Sequence, residues 1–274
     1  MTTASIHRSS RYRLLALAML ASTALAACGT RLTPTVAEVS GRAVELVETG
    51  TGEATVVFES GFGNDWSSWD SVASGVAEHA RVFAYSRPGY GRSDASPDPR
   101  DAAHIVEDLR TLLAARGHSP PYVLVGHSFG GTYMELFAKT HPDEVAALVL
   151  VDPRHRDFTV ACEGAGLSGC DIPDAAVASL PPVQIAEYEA FARTSDQIAA
   201  AGAFGSYPVR VLTATSHGFS PDVEALWVSM LGALADEASD GEQQLFPGAS
   251  HNLELDRVEE VVETIVSVLP ATGT

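Results

Sequence analysis

Short apolar runs alternate along the chain with longer amphipathic segments. Seven runs rich in β-branched and aromatic residues predict strands, at residues 42–48, 54–60, 81–86, 122–128, 146–152, 209–214 and 242–247. Five segments between them predict helices, at residues 69–80, 101–116, 129–140, 221–237 and 254–269. Several of the strands are almost continuously hydrophobic, which is typical of strands covered on both faces. The alternation predicts an α/β fold with a mostly parallel central sheet and helices on both faces.

One stretch interrupts this alternation. Residues 153–207 contain no convincing strand, and they include the helix-like sequence "PPVQIAEYEAFARTSDQIAA". We therefore expect a small helical cap inserted over one end of the sheet, a plain surface excursion being the alternative. The insertion also carries Cys162 and Cys170 on either side of a glycine-rich loop. In an oxidising compartment such a pair is expected to form a disulfide.

The N-terminal residues have the composition of an export signal. Three arginines precede the apolar run "LLALAMLASTALAA", and no acidic residue occurs before Glu38. The run ends at "LAAC", which resembles the bacterial lipobox, and this implies a signal peptide over residues 1–27 and lipidation of Cys28. Ordinary cleavage after "ALA" is the alternative. Residues 28–37 are then expected to form a tether, with one domain over residues 38–274.

Removal of the signal leaves a strongly acidic chain. Of the 17 Lys and Arg residues three precede Cys28, which leaves 14 basic against 35 acidic residues and a formal net charge of −21. Such a surface repels nucleic acid and anionic headgroups. We expect no nucleic-acid partner, and membrane attachment only through a lipid anchor at Cys28. The expected location is the cell envelope, with a secreted or periplasmic soluble protein as the alternative.

The sequence "GHSFG" at residues 126–130 follows a predicted strand and opens a predicted helix. Its pattern is G-x-S-x-G, in which the glycines permit a turn sharp enough to expose Ser128 at the helix start. The free N–H of Phe129 would there face an oxyanion. A serine needs a base and a group that orients the base. Among nine histidines, His251 follows the last strand in a loop, which makes it the candidate base.

These motifs together resemble an α/β-hydrolase-fold serine hydrolase of the esterase and lipase type, over about residues 38–269. Besides "GHSFG" and His251, "ESGFGNDWSSW" (59–69) resembles the oxyanion loop of that family, and "YSRPGYGRSD" (85–94) resembles the loop after its next strand. The resemblance implies an oxyanion hole formed by the backbone N–H groups of Phe62 and Phe129. Many members begin the oxyanion loop with His-Gly, whereas this chain has Ser60-Gly61.

The acid of the triad has two candidates. Many family members carry it after the strand that is here "VRVLTA", and the first carboxylate there is Asp222, which could instead cap the next helix. The other position used in the fold is the end of the preceding strand, where "LVLVDP" supplies Asp152. We favour Asp152, because a carboxylate that ends so apolar a strand needs a cation or an imidazole N–H as partner.

The resemblance implies cleavage of a carboxylic ester or related acyl bond of a small molecule through an acyl-enzyme, with no cofactor and no metal. A cofactor-free haloperoxidase or perhydrolase would use the same triad, and a non-catalytic binding protein of this fold is a further alternative. Epoxide hydrolases and haloalkane dehalogenases of the fold use an aspartate nucleophile, which Ser128 argues against.

Overall fold

The computed structural model describes residues 31–271, so the predicted signal peptide and Cys28 lie outside the described residues. Eight strands within this range form one sheet in the spatial order β1-β2-β4-β3-β5-β6-β7-β8. They are β1 Thr35–Val39, β2 Arg42–Thr49, β3 Thr55–Glu59, β4 Arg81–Tyr85, β5 Tyr122–His127, β6 Val145–Val151, β7 Val209–Ala214 and β8 Gly241–Phe246. Strand β2 runs antiparallel to β1 and β4, and all other neighbours are parallel.

Ten α-helices lie within the described residues: α1 Asp70–Val76, α2 Ala102–Ala115, α3 Phe129–Thr140, α4 Phe158–Gly164, α5 Asp174–Val177, α6 Pro182–Glu189, α7 Phe191–Ala200, α8 Pro221–Asp236, α9 Leu253–Asp256 and α10 Val258–Ser267. Two short 3-10 helices cover Trp66–Trp69 and Pro142–Glu144. None of the helices in residues 31–271 has the length and apolar composition needed to cross a bilayer.

The helices cover both faces of the sheet. Leu124 of β5 belongs to a core with α2, α3 and α8, whereas the neighbouring Val125 belongs to a second core with α1 and α10. Alternate residues of a strand point to opposite faces, so a strand covered on both sides must be apolar throughout. The predicted fold class, a mostly parallel sheet with helices on both faces, is therefore confirmed.

Two differences from the sequence-based prediction concern element boundaries. Residues 35–37, which we assigned to the tether, are the first residues of β1. This edge strand escaped prediction because it is largely exposed and therefore carries no continuous apolar run. The single helix predicted at 254–269 is divided into α9 and α10 at Arg257, whose backbone leaves the helical region with φ −136° and ψ 46°.

Residues 153–207 contain the four helices α4 to α7 and no strand. Cys162 and Cys170 form the expected disulfide, with their Cα atoms 5.8 Å apart. Side chains of this insertion bond to the body of the domain: Thr194 Oγ1 accepts from the N–H of Ala102 at 2.9 Å. The insertion is thereby joined to the first turn of α2 and covers the carboxyl end of the sheet near Ser128.

Candidate active site

Ser128 occupies the turn between β5 and α3 in a strained backbone conformation, with φ 51° and ψ −122°. Glycines allow the neighbouring segments to approach this turn. A Cβ on Gly126 would lie 2.5 Å from the carbonyl oxygen of Gly130, and a Cβ on Gly130 would overlap the carbonyl oxygen of Glu59. The glycines of "GHSFG" are thus required by close backbone contacts, and they expose Ser128 at the carboxyl ends of the parallel strands.

The structure brings the three predicted triad residues into one hydrogen-bonded chain. The Ser128 hydroxyl lies 2.9 Å from His251 Nε2. His251 Nδ1 lies 2.6 Å from Asp152 Oδ2, and its N–H donates to that carboxylate. This geometry lets the imidazole accept the serine proton while the carboxylate holds the ring and its tautomer in place.

Asp152 is fully buried directly after β6, in the left-handed region with φ 43°. Its Oδ1 accepts from the N–H of Ala214 at 3.0 Å and from the indole N–H of Trp227 at 3.1 Å. Burial opposes ionisation, but hydrogen bonds from His217 and His251 outweigh it and lower the pKa of Asp152 well below its ordinary value. The carboxylate therefore stays ionised.

His217, to which the sequence analysis assigned no role, is the second imidazole on this carboxylate. Its Nε2 lies 2.7 Å from Asp152 Oδ2, and its Nδ1 lies 2.6 Å from Oε1 of Glu224. Burial lowers the pKa of His217, but the contacts with Asp152 and Glu224 outweigh this and raise it. One sequence feature could have indicated a role for His217. It lies in the loop after β7, at the same edge of the sheet as Ser128 and Asp152.

The runner-up acid, Asp222, is placed elsewhere. It is exposed in the first turn of α8, and within residues 31–271 its carboxylate makes no hydrogen bond or ion pair. It is not the cap of that helix either, because Ser220 is the N-cap and accepts from the N–H of Val223 at 3.4 Å. The carboxylate of α8 that reaches the site is that of Glu224, which contacts His217 rather than His251.

The segments predicted to form an oxyanion hole lie side by side. The rings of Phe62 and Phe129 are 5.1 Å apart, and neither backbone N–H donates to an acceptor in residues 31–271. A Cβ on Gly61 would lie 2.8 Å from His127 Nδ1 and 3.3 Å from the Cβ of Ser128, so this position must be glycine. The two unused N–H groups next to Ser128 are suited to stabilise negative charge on a carbonyl oxygen.

Arg87 anchors the loop that begins with Ser60-Gly61. Its guanidinium donates to the carbonyl oxygens of Ser60 at 2.5 Å and Gly61 at 3.0 Å. Two buried carboxylates balance its charge, Glu59 at 2.7 Å and Glu187 of α6 at 2.9 Å. Arg87 lies in the motif "YSRPGYGRSD", whose sequence alone does not predict this anchoring role. The missing histidine of the oxyanion loop is therefore compensated by a buried ion-pair network that includes the insertion.

Comparison with known proteins supports the fold. A family model described as the alpha/beta hydrolase fold matches residues 54–164. An epoxide hydrolase from Vigna radiata has a TM-score of 0.64 at 19% identity, over 86% of this chain and 97% of that one. A thermophilic esterase from Thermogutta terrifontis has a TM-score of 0.59 at 22% identity, over 87% and 97%. The protein has the α/β-hydrolase fold.

Sequence relatives match a smaller part of this α/β-hydrolase-fold protein. The protein YqjL of Bacillus subtilis is 34% identical over 104 residues, which are 38% of this chain and 41% of YqjL. The chain also matches 37% of the protein YbdG of the same organism, so it spans about two fifths of the length of these two relatives. The solved structures are similar in fold, and their different chemistries show that the fold alone does not select a reaction.

Behind His251, the α/β-hydrolase-fold protein buries a second pair of titratable groups. His127 Nε2–H donates to the carbonyl oxygen of His251 at 2.9 Å, and His127 Nδ1 lies 3.4 Å from Glu254 Oε1. Burial lowers the pKa of His127 to about 3 and raises the pKa of Glu254 to about 8. Both groups are therefore neutral near pH 7, and they support the His251 backbone without adding a charge that would compete with Asp152.

A cavity of about 470 Å³ opens onto Ser128 and His251. Five aromatic side chains line it: Phe62 of the oxyanion loop, Phe129 of α3, Phe158 of the insertion, Phe219 of the loop before α8, and Trp227 of α8. Such walls fit an apolar or mixed small molecule.

Asp152, His217 and His251 also offer three potential metal ligands, whose atoms lie within 4.8 Å of one another. The imidazole nitrogens facing Asp152 Oδ2 already donate protons to it at 2.6 and 2.7 Å. A metal ion at their centre would have to displace both protons and separate these atoms. The donor set therefore fits a proton-sharing network better than a resident metal, and the absence of a metal cofactor stays a prediction.

Proposed function

We propose that this protein is a serine hydrolase that cleaves a carboxylic ester, or a related acyl bond, through a covalent acyl-enzyme. The single observation that supports this most strongly is the chain from the Ser128 hydroxyl through His251 to Asp152, with contacts of 2.9 and 2.6 Å. Nucleophile, base and orienting acid thereby meet the geometric requirement for acyl transfer.

In the proposed reaction His251 Nε2 takes the proton of Ser128 while the serine oxygen attacks the substrate carbonyl carbon. The N–H groups of Phe62 and Phe129 stabilise the tetrahedral oxyanion. The intermediate collapses as His251 donates its proton to the leaving alcohol, which leaves the acyl group on Ser128. A water molecule, deprotonated by His251, then attacks the acyl carbon, and the carboxylic acid leaves as His251 returns that proton to the oxygen of Ser128.

The proposal predicts that Ser128→Ala abolishes hydrolysis of short aryl esters while the fold is retained. A fluorophosphonate probe should label the native protein and fail to label the variant, and Ser93→Ala is a matched control because Ser93 is a buried serine of the loop after β4. Hydrolysis by Ser128→Ala at the native rate, or labelling of that variant, would reject the assignment.

No specific observation favours another activity over ester hydrolysis. An epoxide hydrolase of this fold would need a carboxylate where Ser128 stands. A perhydrolase would use the same three residues, and only an assay with peroxide and a carboxylic acid separates it from an esterase.

We also propose that the protein is exported and attached to the membrane by lipid at Cys28, on the strength of the N-terminal sequence. Metabolic labelling with a fatty-acid analogue should mark the native protein and spare Cys28→Ser. Equal labelling of both would contradict the lipid anchor, and a soluble unlabelled native protein would favour ordinary cleavage.

A further inference from the structure

Arg154 brings a positive charge into the cavity beside Ser128. Among the residues that line this cavity it is the one lysine or arginine. Its backbone is fixed against the nucleophile turn: its N–H donates to the carbonyl oxygen of Ser128 at 3.0 Å, and its own carbonyl accepts from Thr132 Oγ1 at 2.7 Å. These bonds fix the backbone of Arg154 to the turn that carries Ser128. The guanidinium therefore lies within about the length of one arginine side chain from that turn.

Only some of the N–H donors of the Arg154 guanidinium form hydrogen bonds within the protein. Its Nη2 donates to Thr159 Oγ1 and, at 3.4 Å, to Asp171 Oδ2. Its Nε and Nη1 donate to no acceptor in residues 31–271. The rings of Phe158 and Phe191 lie 5.0 and 5.6 Å from the guanidinium carbon. The remaining N–H groups are thus available within a largely apolar site, where a hydrogen bond to an anion is strong.

Comparison with a neighbouring arginine shows that the charge of Arg154 is undercompensated. Arg156 reaches Glu135 and Glu237 at 2.6 Å each, and although burial opposes its charge these carboxylates raise its pKa. Burial lowers the pKa of Arg154, and the attraction of Asp171 offsets this only in part. An exogenous carboxylate would supply the missing compensation.

Asp171 is poorly placed to neutralise Arg154. Its Oδ2 accepts a shorter bond from Thr159 Oγ1 at 2.8 Å, and its Oδ1 accepts from the N–H of Ile172 at 2.8 Å. With 32% of its side chain exposed, it is also screened by solvent. It contacts only Nη2 of the guanidinium, and Nε and Nη1 keep N–H groups that no acceptor in residues 31–271 uses.

We propose that the substrate is an ester that carries a free carboxylate, which Arg154 binds through its unused N–H groups while Ser128 attacks the ester carbonyl. This inference rests on the proposed function and names the substrate class of that site. A carboxylate that accepts from Nε–H or Nη1–H forms a charge-assisted hydrogen bond, which orients the ester relative to the nucleophile as well as holding it.

The test compares mono-1-naphthyl esters of glutarate and adipate with the same compounds capped as methyl esters. A charge-assisted hydrogen bond is worth about tenfold to a hundredfold in affinity, so kcat/KM for one of the free acids should exceed that of its capped analogue by about tenfold or more. In Arg154→Met this ratio should fall to about one. Arg193→Met, which removes an exposed arginine of the same insertion, should keep the native ratio.

Two further variants separate recognition from structural support. Asp171→Asn removes the competing carboxylate and should raise the ratio, whereas Arg154→Lys keeps a cation without the planar fork and should give an intermediate ratio. A native ratio of about one, or equal losses on free and capped esters in Arg154→Met, would overturn the inference.

Calorimetric titration of Ser128→Ala with adipate makes the result independent of turnover. If no ester is hydrolysed and adipate still binds in an Arg154-dependent way, the proposed function fails and the anion site stands. If esters are hydrolysed and adipate does not bind, the proposed function stands and the anion site is rejected.

Discussion

Replacement of His217 is the sharpest test of the hydrogen-bond network around Asp152. Oδ2 of Asp152 accepts from both His217 and His251, at 2.7 and 2.6 Å. Although burial opposes it, contact with Asp152 and Glu224 raises the pKa of His217, so this ring carries positive charge to a higher pH than a free imidazole does. A positive charge on His217 repels any positive charge that His251 acquires.

The size of this effect follows from the geometry. The ring centres of His217 and His251 are 5.7 Å apart. Two unit charges at that separation repel by about 3 kcal/mol at an effective dielectric constant of ~20, and by about half of that at ~40. Divided by 1.36 kcal/mol per pH unit, this gives about one to two units. In His217→Gln, the acidic limb of the pH profile of kcat/KM should therefore move to higher pH by about one to two units.

The assay is kcat/KM for a neutral naphthyl ester from about pH 5 to about pH 9, the range in which histidine-dependent profiles are resolved. Glu224→Gln keeps His217 as a donor to Asp152 but removes one carboxylate that holds its charge, so its acidic limb should move in the same direction by less. His79→Gln, at an exposed position, is the matched control. An unmoved acidic limb in His217→Gln, with only a lower plateau, would refute the electrostatic reasoning.

Two further predictions concern carboxylates. Asp152→Asn should lower kcat/KM by several orders of magnitude, because an amide cannot stabilise the charged imidazole of His251. Asp222→Asn should keep kcat/KM within about twofold of the native value. Equal losses in the two variants would contradict the assignment of Asp152 as the triad acid. Glu254 is protonated in the folded protein up to about pH 8 but ionises near 4.5 when unfolded, so stability should fall as pH rises between these values. Thermal denaturation should show this fall, on the order of 3–5 kcal/mol, and its loss in Glu254→Gln; persistence of the same slope in that variant would exclude Glu254 as its source.

The sequence predicted the sheet and most helices, because a strand that is covered on both faces appears in the sequence as a run of apolar residues. The run "YVLV" at the start of β5 is apolar at every position, since Leu124 and Val125 enter different cores. The glycines around Ser128 were likewise predictable, because a tight turn and close backbone contacts admit no other residue. Edge strand β1 has no such apolar run, because its exposed positions tolerate polar residues.

The sequence by itself determined the class of fold, the position of the strained serine and the order of serine, acid and histidine along the chain. Only the tertiary structure decided that Asp152 rather than Asp222 faces His251, that His217 shares the same carboxylate, and that Arg154 opens into the cavity. The physical reason is that periodicity and turn chemistry act between near neighbours, whereas these contacts join residues about 60 to 100 positions apart. These residues meet where parallel strands end at one edge of the sheet. Local sequence patterns do not encode which strand ends become neighbours there.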